Sequence, residues 1–415
     1  MSRAFRRFSV ASAALTANAL RPLPTQALGV PSMFGGWLTA ELAPQNLAIT
    51  AAATATHVAR HGRRSDWRSV ALNAASMAGL VHLLQQGRHA RDHVDAALRD
   101  ALGPDYAQRL DREPDPADLA TPWREVLTPW TMGRHPDVEV IQDIPYGDHG
   151  RRGLLDIRRP RNANGDSPVL LQLHGGAWVI GEKKEQAIPL MTHLASKGWI
   201  CVVPNYRLSP RATWPEHLLD CKRALGWVRQ HIKEYGGDPS FVAVTGGSAG
   251  GHLAAMVALT PNDLRYQPDF PDVDTTVQAC VPHYGVYDIA ATTGTRNAKD
   301  RRDRFWARMI MKRSYAEDPK AFEDASPICL ARPDAPPFFV LHGAHDTLAP
   351  VVEARAFVER LRAVSKSTVA YAELPGTQHA FDIFPSIRSA HVLRGVERFL
   401  LSVLLEGRRN RSSAA

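Results

Sequence analysis

The sequence predicts an α/β protein: a mostly parallel, eight-stranded sheet flanked by helices, with a helical segment ahead of it. Three observations carry this. From about residue 136 onward, short β-branched apolar runs alternate with longer amphipathic stretches, the pattern of a doubly wound sheet. Within that region Val242-Ala-Val244 runs into Gly246-Gly-Ser-Ala-Gly250 and then the apolar stretch Leu253 to Leu259, a strand, sharp turn and helix with Ser248 at the turn. The first 130 or so residues, rich in Ala and Arg, show only helical periodicity.

In chain order, Leu42 to Ala59 and Ser69 to Gly87 carry no formal charge and approach the length of a membrane span. Asn46, Thr50, Thr54, Thr56 and His57 in the first, and Asn73, Ser76, His82, Gln85 and Gln86 in the second, make both less apolar than a spanning helix. They read as a helical hairpin with an apolar face, which either covers the body of the protein or rests on a bilayer surface, with covering as the default. Ser65-Asp66 starts its second helix, which runs on to Leu98, and Gly103-Pro104 stops it. Asp111 to Thr128, acidic and proline-interrupted, reads as a linker.

The period then changes. Strands are expected at Val138–Ile144, Gly153–Ile157, Val169–Leu173, Trp199–Val203, the run before Ser248, Val277–Val281, Phe338–Leu341 and Val369–Leu374. Helices fit Lys184–Lys197, Glu216–Tyr235, the stretch after Ser248, and Arg388–Leu405. This divides the chain into a helical segment over 1–130, an α/β domain over 131–407 and a basic flexible tail over 408–415.

The chain has 415 residues, 44% of them hydrophobic, enough for a large core, and a formal charge of +8. Clusters at Arg3, Arg6 and Arg7, at Arg301, Arg302 and Arg304, and at Arg408, Arg409 and Arg411 carry part of it. No basic helix interleaved with aromatics occurs, so a solvated surface is expected and nucleic-acid binding is not. Cys201, Cys221, Cys280 and Cys329 are scattered and form no Cys-x-x-Cys pair. Cys201 and Cys280 fall in strand-like runs as small buried hydrophobes. The apolar run after Arg3, Arg6 and Arg7 is short and broken by Thr16 and Asn18, which ranks export below a cytoplasmic or peripherally membrane-associated location.

A serine hydroxyl needs an imidazole to take its proton, and the imidazole needs a carboxylate to fix its tautomer. Both should lie on loops after strands, in the order serine, acid, histidine. Asp346, just past the strand at Phe338, and His379, after the last strand and before the last helix, fit that order. Asp288 comes too early, Asp324 lies in a helix-to-turn segment, and Asp382 follows the histidine. His252, His283, His342 and His345 read as structural groups. A tetrahedral oxyanion needs backbone donors. His174-Gly-Gly-Ala-Trp178 after a strand offers side-chain-free amides, and Ala249 follows the nucleophile.

His174-Gly-Gly-Ala-Trp178, Tyr206-Arg-Leu-Ser-Pro210 with Pro215 and Asp220, Gly237-Asp-Pro239, Gly246 to Gly251, Asp346 and His379 together resemble the α/β-hydrolase fold. More narrowly, over residues 136 to 405 the chain is similar to the hormone-sensitive-lipase-like bacterial, actinobacterial-type carboxylesterases and lipases. The resemblance implies Ser248 as nucleophile, Asp346 as acid, His379 as base, and Gly175, Gly176 and Ala249 as oxyanion donors. Three positions depart from the family pattern: Ala177 replaces a third glycine, Gly247 stands where an acidic residue often precedes the nucleophile, and Ala380 replaces a frequent glycine after the base. Trp178 is expected to bind substrate at the pocket wall or to pack beneath its loop.

The function expected is hydrolysis of short- to medium-chain acyl esters through an acyl-enzyme, with a small-molecule or lipid ester as substrate and no metal or organic cofactor. The alternatives are an arylformamidase-like amidase, an interfacial lipase and, remotely, a non-catalytic binding protein on the same fold. Phe305, Trp306, Met309, Ile310 and Met311, inserted between two core strands, suit either an acyl pocket or the core.

Overall fold

The structure, a computed structural model, describes residues 3–23, 29–110, 120–163 and 165–414. The first half of the expected linker, 111–119, thus falls outside the described residues, and the second half contains a short helix, Trp123–Leu127. Eight strands form one sheet: β1 (Val138–Pro145), β2 (Leu154–Pro160), β3 (Ser167–Leu173), β4 (Ile200–Pro204), β5 (Gly237–Gly247), β6 (Ala279–His283), β7 (Phe338–Gly343) and β8 (Val369–Leu374). Their spatial order is β1-β2-β4-β3-β5-β6-β7-β8, with β2 antiparallel to both β1 and β4 and the remaining pairs parallel.

Strand alternation gives the sheet two apolar faces. Val169, Leu171, Val202, Val244 and Val340 point into a core with the helices Glu216–His231, Ala249–Leu259 and Val351–Val364. Trp306, Ile310 and Met311 of the inserted segment are buried in that core. Leu170, Cys201, Ala243, Phe339 and Leu341 point the other way, against Ile188–Ser196 and the last helix, Ile387–Ala414. That helix carries on through the residues expected as a tail. Its apolar stripe at Val392, Val396, Phe399, Leu400 and Leu404 fixes its inner face, and the following turns propagate from it.

The N-terminal region is four helices rather than a hairpin: α1 (Arg3–Leu20), α2 (Gly29–Glu41), α3 (Ala43–His61) and α4 (Trp67–Leu102). Asp66 caps α4 by accepting from the Ser69 amide, and Gly103, at φ 94, ends it. The first half of α4 packs against α1 and α3, whereas Ala90, Val94, Ala97 and Leu98 lie in the second core of the sheet. Helix α4 thus packs on both sides, its first half in the N-terminal bundle and its second half on the sheet. A buried ion pair of Glu41 with Arg388, to which Ser386 Oγ adds a 2.6 Å hydrogen bond, ties α2 to the body as well.

Candidate active site

β5 delivers Ser248 to the carboxyl edge of the sheet, and the helix Ala249–Leu259 leaves immediately. Ser248 has φ 58 and ψ −121, a conformation that L residues hold only when the surroundings impose it. Its amide donates to His283 O at 3.0 Å, and its carbonyl accepts from the His252 amide at 3.0 Å. Strand and helix approach too closely for side chains: a Cβ on Gly246 would stand 2.6 Å from Leu173 O, and one on Gly250 would strike the same carbonyl.

Asp346 lies three residues past β7. Its Oδ1 accepts from the amides of Leu348 and Ala349, both at 2.8 Å, and its Oδ2 is 2.6 Å from His379 Nδ1. Burial pushes the Asp346 carboxyl up, but the charge and hydrogen bond of His379 outweigh it and hold the group below the usual carboxylate range. Gln378 straps the two loops together. Its Oε1 accepts from the amides of Thr347, at 3.1 Å, and His379, at 3.0 Å. Helix α2 rests on the same pair of loops: Thr347 Oγ1 donates to Gly29 O at 2.9 Å, and Gly36 abuts Gln378.

Tyr284 packs beside the His379 imidazole and against Gly247. Its ring centroid is 4.7 Å from that of His379, and its hydroxyl would lie 2.6 Å from a Cβ on Gly247, the neighbour of Ser248. The hydroxyl donates to Asp382, whose Oδ2 is 2.6 Å from His283 Nδ1. Asp382, set aside as an acid because it follows the histidine, thus ties the end of β6 to the loop that carries His379.

The loop His174–Trp178 runs beside the turn at Ser248, and a Cβ on Gly175 would be 3.1 Å from Ser248 Cβ. The His174 ring stacks on Tyr206, whose hydroxyl donates to His174 O at 2.7 Å. Tyr206 is held in turn through its neighbour: Asp220 accepts from the Arg207 amide at 2.9 Å and from its guanidinium at 2.8 Å through Nε and Nη2.

A family model described as BD-FAE matches residues 155–361. A probable carboxylic ester hydrolase, LipM, of Mycobacterium tuberculosis is 47% identical over 402 residues, covering 94% of this chain and 91% of its own. The chain belongs to the hormone-sensitive-lipase-like family of bacterial esterases. Esterase LipQ of the same organism is 46% identical, covering 74% of this chain and 73% of its own. Among solved structures, esterase B of Lactobacillus rhamnosis has TM-scores of 0.56 and 0.58 at 19% identity, covering 77% of this chain and 98–100% of its own, a likeness of fold.

The three departures of this esterase-family chain have structural counterparts. Gly247 leaves the space that Tyr284 fills, so an acidic side chain would collide with the ring. Ala177 and Ala380 sit at φ 53 and φ 63, in the left-handed region where glycine is relaxed and alanine is strained. Trp178 packs beneath its loop: it is buried, edge-on to His252 at 5.0 Å and to Trp306 at 5.2 Å. The amide of Gly175 donates to Gln186 Oε1 at 2.6 Å, so in this conformation it is already engaged, whereas Ala249 opens a helix whose first-turn amides have no partner within the helix.

The set-aside residues have structural partners. His252 Nε2 bonds Ala325 O at 2.8 Å and His342 Nε2 bonds Ala349 O at 2.7 Å. Asp288 accepts from Thr292 and Thr293, while Asp324 pairs with Arg265 and Lys320. Gln186 and Gln378 carried no signal, since glutamines in polar stretches match no catalytic pattern.

Proposed function

We propose that the protein is a serine carboxylic-ester hydrolase acting on short- to medium-chain acyl esters, with Ser248, His379 and Asp346 as its triad. The observations that support this reading are the 2.6 Å bond from His379 Nδ1 to buried Asp346 and the placement of Ser248 at a strained strand-to-helix turn. The names of relatives 46–47% identical support ester chemistry.

Asp346 keeps the proton of His379 on Nδ1, so that Nε2 is the basic nitrogen. His379 takes the Ser248 proton as Oγ attacks the ester carbonyl, then returns it to the departing alcohol. Water attacks the acyl-serine by the same route, and His379 hands that proton back to Ser248. The amides of Gly176 and Ala249 hold the oxyanion, with Gly175 joining once Gln186 releases it. Trp178 shapes the acyl side from below, through the loop it supports.

Ser248→Ala tests the assignment. Turnover of p-nitrophenyl butyrate falls at least about a thousandfold while the circular dichroism stays unchanged, and the intact enzyme prefers short to medium acyl chains across a length series. Undiminished turnover in the variant would overturn the triad, and a preference for long chains would overturn the substrate range.

A further inference from the structure

The first 91 residues hold ten arginines, no lysine and only two acids, Glu41 and Asp66, a formal charge of +8. That equals the charge of the whole chain, so the remaining residues are balanced at 40 basic and 40 acidic. The positive charge of this protein belongs to its N-terminal helices.

It is also concentrated at one end of them. Phe5 of α1 stacks on His57 of α3 at 3.8 Å, and His57 Nε2 accepts from the Asp66 amide, while Gly79 of α4 meets Thr16 and Leu20. The start of α1, the end of α3 and the start of α4 therefore meet. Arg3, Arg6 and Arg7 come from the first, and Arg60, Arg63, Arg64 and Arg68 from the other two, all exposed. Trp67, 55% exposed, stands among them. Of the two acids, Asp66 is occupied in capping α4, and Glu41 is buried at the opposite end against Arg388. From Trp67 to Gly87, where α4 meets Ile387 of the body, the helix spans about 30 Å, so the arginine-rich end projects.

Beside an apolar cluster of Ala19, Ala40, Ala43, Leu80 and Leu83, this bundle also buries polar groups and exposes apolar ones. Ser9, Thr16, Thr50, Asn73 and Ser76 are buried, and Asn73 Nδ2 donates to Thr54 Oγ1 at 2.8 Å. Facing out are Val10, Leu15, Ile49, Leu72 and Val81 among alanines, and no charge interrupts residues 43–59 or 69–87. A helix bathed in water buries its apolar stripe and exposes charge. Small polar groups between helices and apolar groups outside is the arrangement that suits lipid.

We propose that this bundle seats the protein on an anionic phospholipid bilayer, its arginines among the headgroup phosphates and Trp67 with the adjoining uncharged helix faces in the interfacial layer. Guanidinium groups match phosphate geometry, and a half-exposed tryptophan beside them is the residue that favours the interface. Among the described residues no helix is long and apolar enough to cross a membrane, so the contact proposed is a seat on one surface. The uncharged outer faces favour lipid over nucleic acid, which would be met by basic groups alone.

Sedimentation of the full chain with vesicles tests this, comparing phosphatidylcholine alone with an equal mixture of phosphatidylcholine and phosphatidylglycerol at about 50 mM salt. The protein pellets with the anionic vesicles and not the neutral ones. The combined variant Arg60→Gln, Arg63→Gln, Arg64→Gln and Arg68→Gln needs at least about tenfold more anionic lipid for half-binding. Its unchanged hydrolysis of a soluble ester shows that it is folded, and Trp67→Ala weakens binding separately. Wild-type protein left in the supernatant would overturn the proposal. So would equal binding to neutral vesicles, or indifference to the four substitutions. A dimer that those substitutions dissolve, without vesicle binding, would overturn it too and assign the face to a second copy.

Discussion

Asp346→Asn is the most informative single change, because the surroundings decide how the new amide must sit. In the wild type, Oδ1 accepts from two backbone amides at 2.8 Å, while Oδ2 faces His379 Nδ1 at 2.6 Å. Asparagine keeps its oxygen on Leu348 and Ala349, because turning it round would set an NH2 group against two N–H donors. That reversal leaves two buried donors unpaired, at about 1–3 kcal/mol each. The NH2 group therefore faces Nδ1. An imidazole nitrogen facing a donor must be unprotonated, so the proton moves to Nε2 and the base can no longer accept from serine. Packing is almost unaltered, so folding stability changes little. The expected loss in kcat is about a thousand- to ten-thousandfold, roughly 4–5 kcal/mol of barrier, with KM close to wild type. Initial rates with p-nitrophenyl butyrate and a urea melt measure both. A loss of less than tenfold in a folded variant would refute the reasoning.

Removing Glu41 by substitution with Ala leaves Arg388 buried and unpaired, and a urea melt should show a loss of about 3–5 kcal/mol; a loss under about 1 kcal/mol would mean that α2 is not anchored there. Ala380→Gly relieves a residue at φ 63, so activity is kept and stability is unchanged or raised by up to about 1 kcal/mol; a lowered Tm would contradict the strain. Asp382→Asn weakens the tether between Tyr284 and the base loop, which should lower kcat about tenfold and leave KM alone; an effect on KM only would argue against positioning. Burial lowers His174 and His252 from 6.5 to about 4, so the unfolded chain takes up protons there before the folded one does. Stability should fall as pH drops from 6.5 toward about 4, seen as a lower urea midpoint at about pH 5 than at about pH 7; an equal or higher midpoint would count against buried neutral imidazoles.

The positions of the proposed catalytic residues were legible because they follow from strand order. Ser248, Asp346 and His379 each lie just past an apolar run, and parallel strands place such loops along one edge. Helix α4 was legible from its cap and its stop, Asp66 and Gly103. Helix α2 was not singled out, since Gly29, Pro31, Gly35 and Gly36 are poor helix formers that mark no clear start or stop. It is helical because Trp37 packs on Phe384 and Glu41 reaches Arg388, contacts that override poor propensity. The Asp382 link to His283 joins residues 99 apart and has no local pattern to betray it. Gln186 differs again: it reaches Gly175 through a loop whose course only the folded chain defines. The buried polar groups of the N-terminal bundle became visible only when burial was known, because Ser, Thr and Asn among alanines look the same in sequence whether they face in or out.

The central claim is that Ser248 carries the acyl group, and trapping that intermediate tests it most directly. Intact protein treated with a fluorophosphonate, or quenched during turnover of a slowly released ester, should gain one adduct by mass spectrometry, carried on the peptide containing Ser248 and lost in Ser248→Ala. An adduct on another residue, or turnover with no covalent species and an unreactive Ser248, would contradict the account.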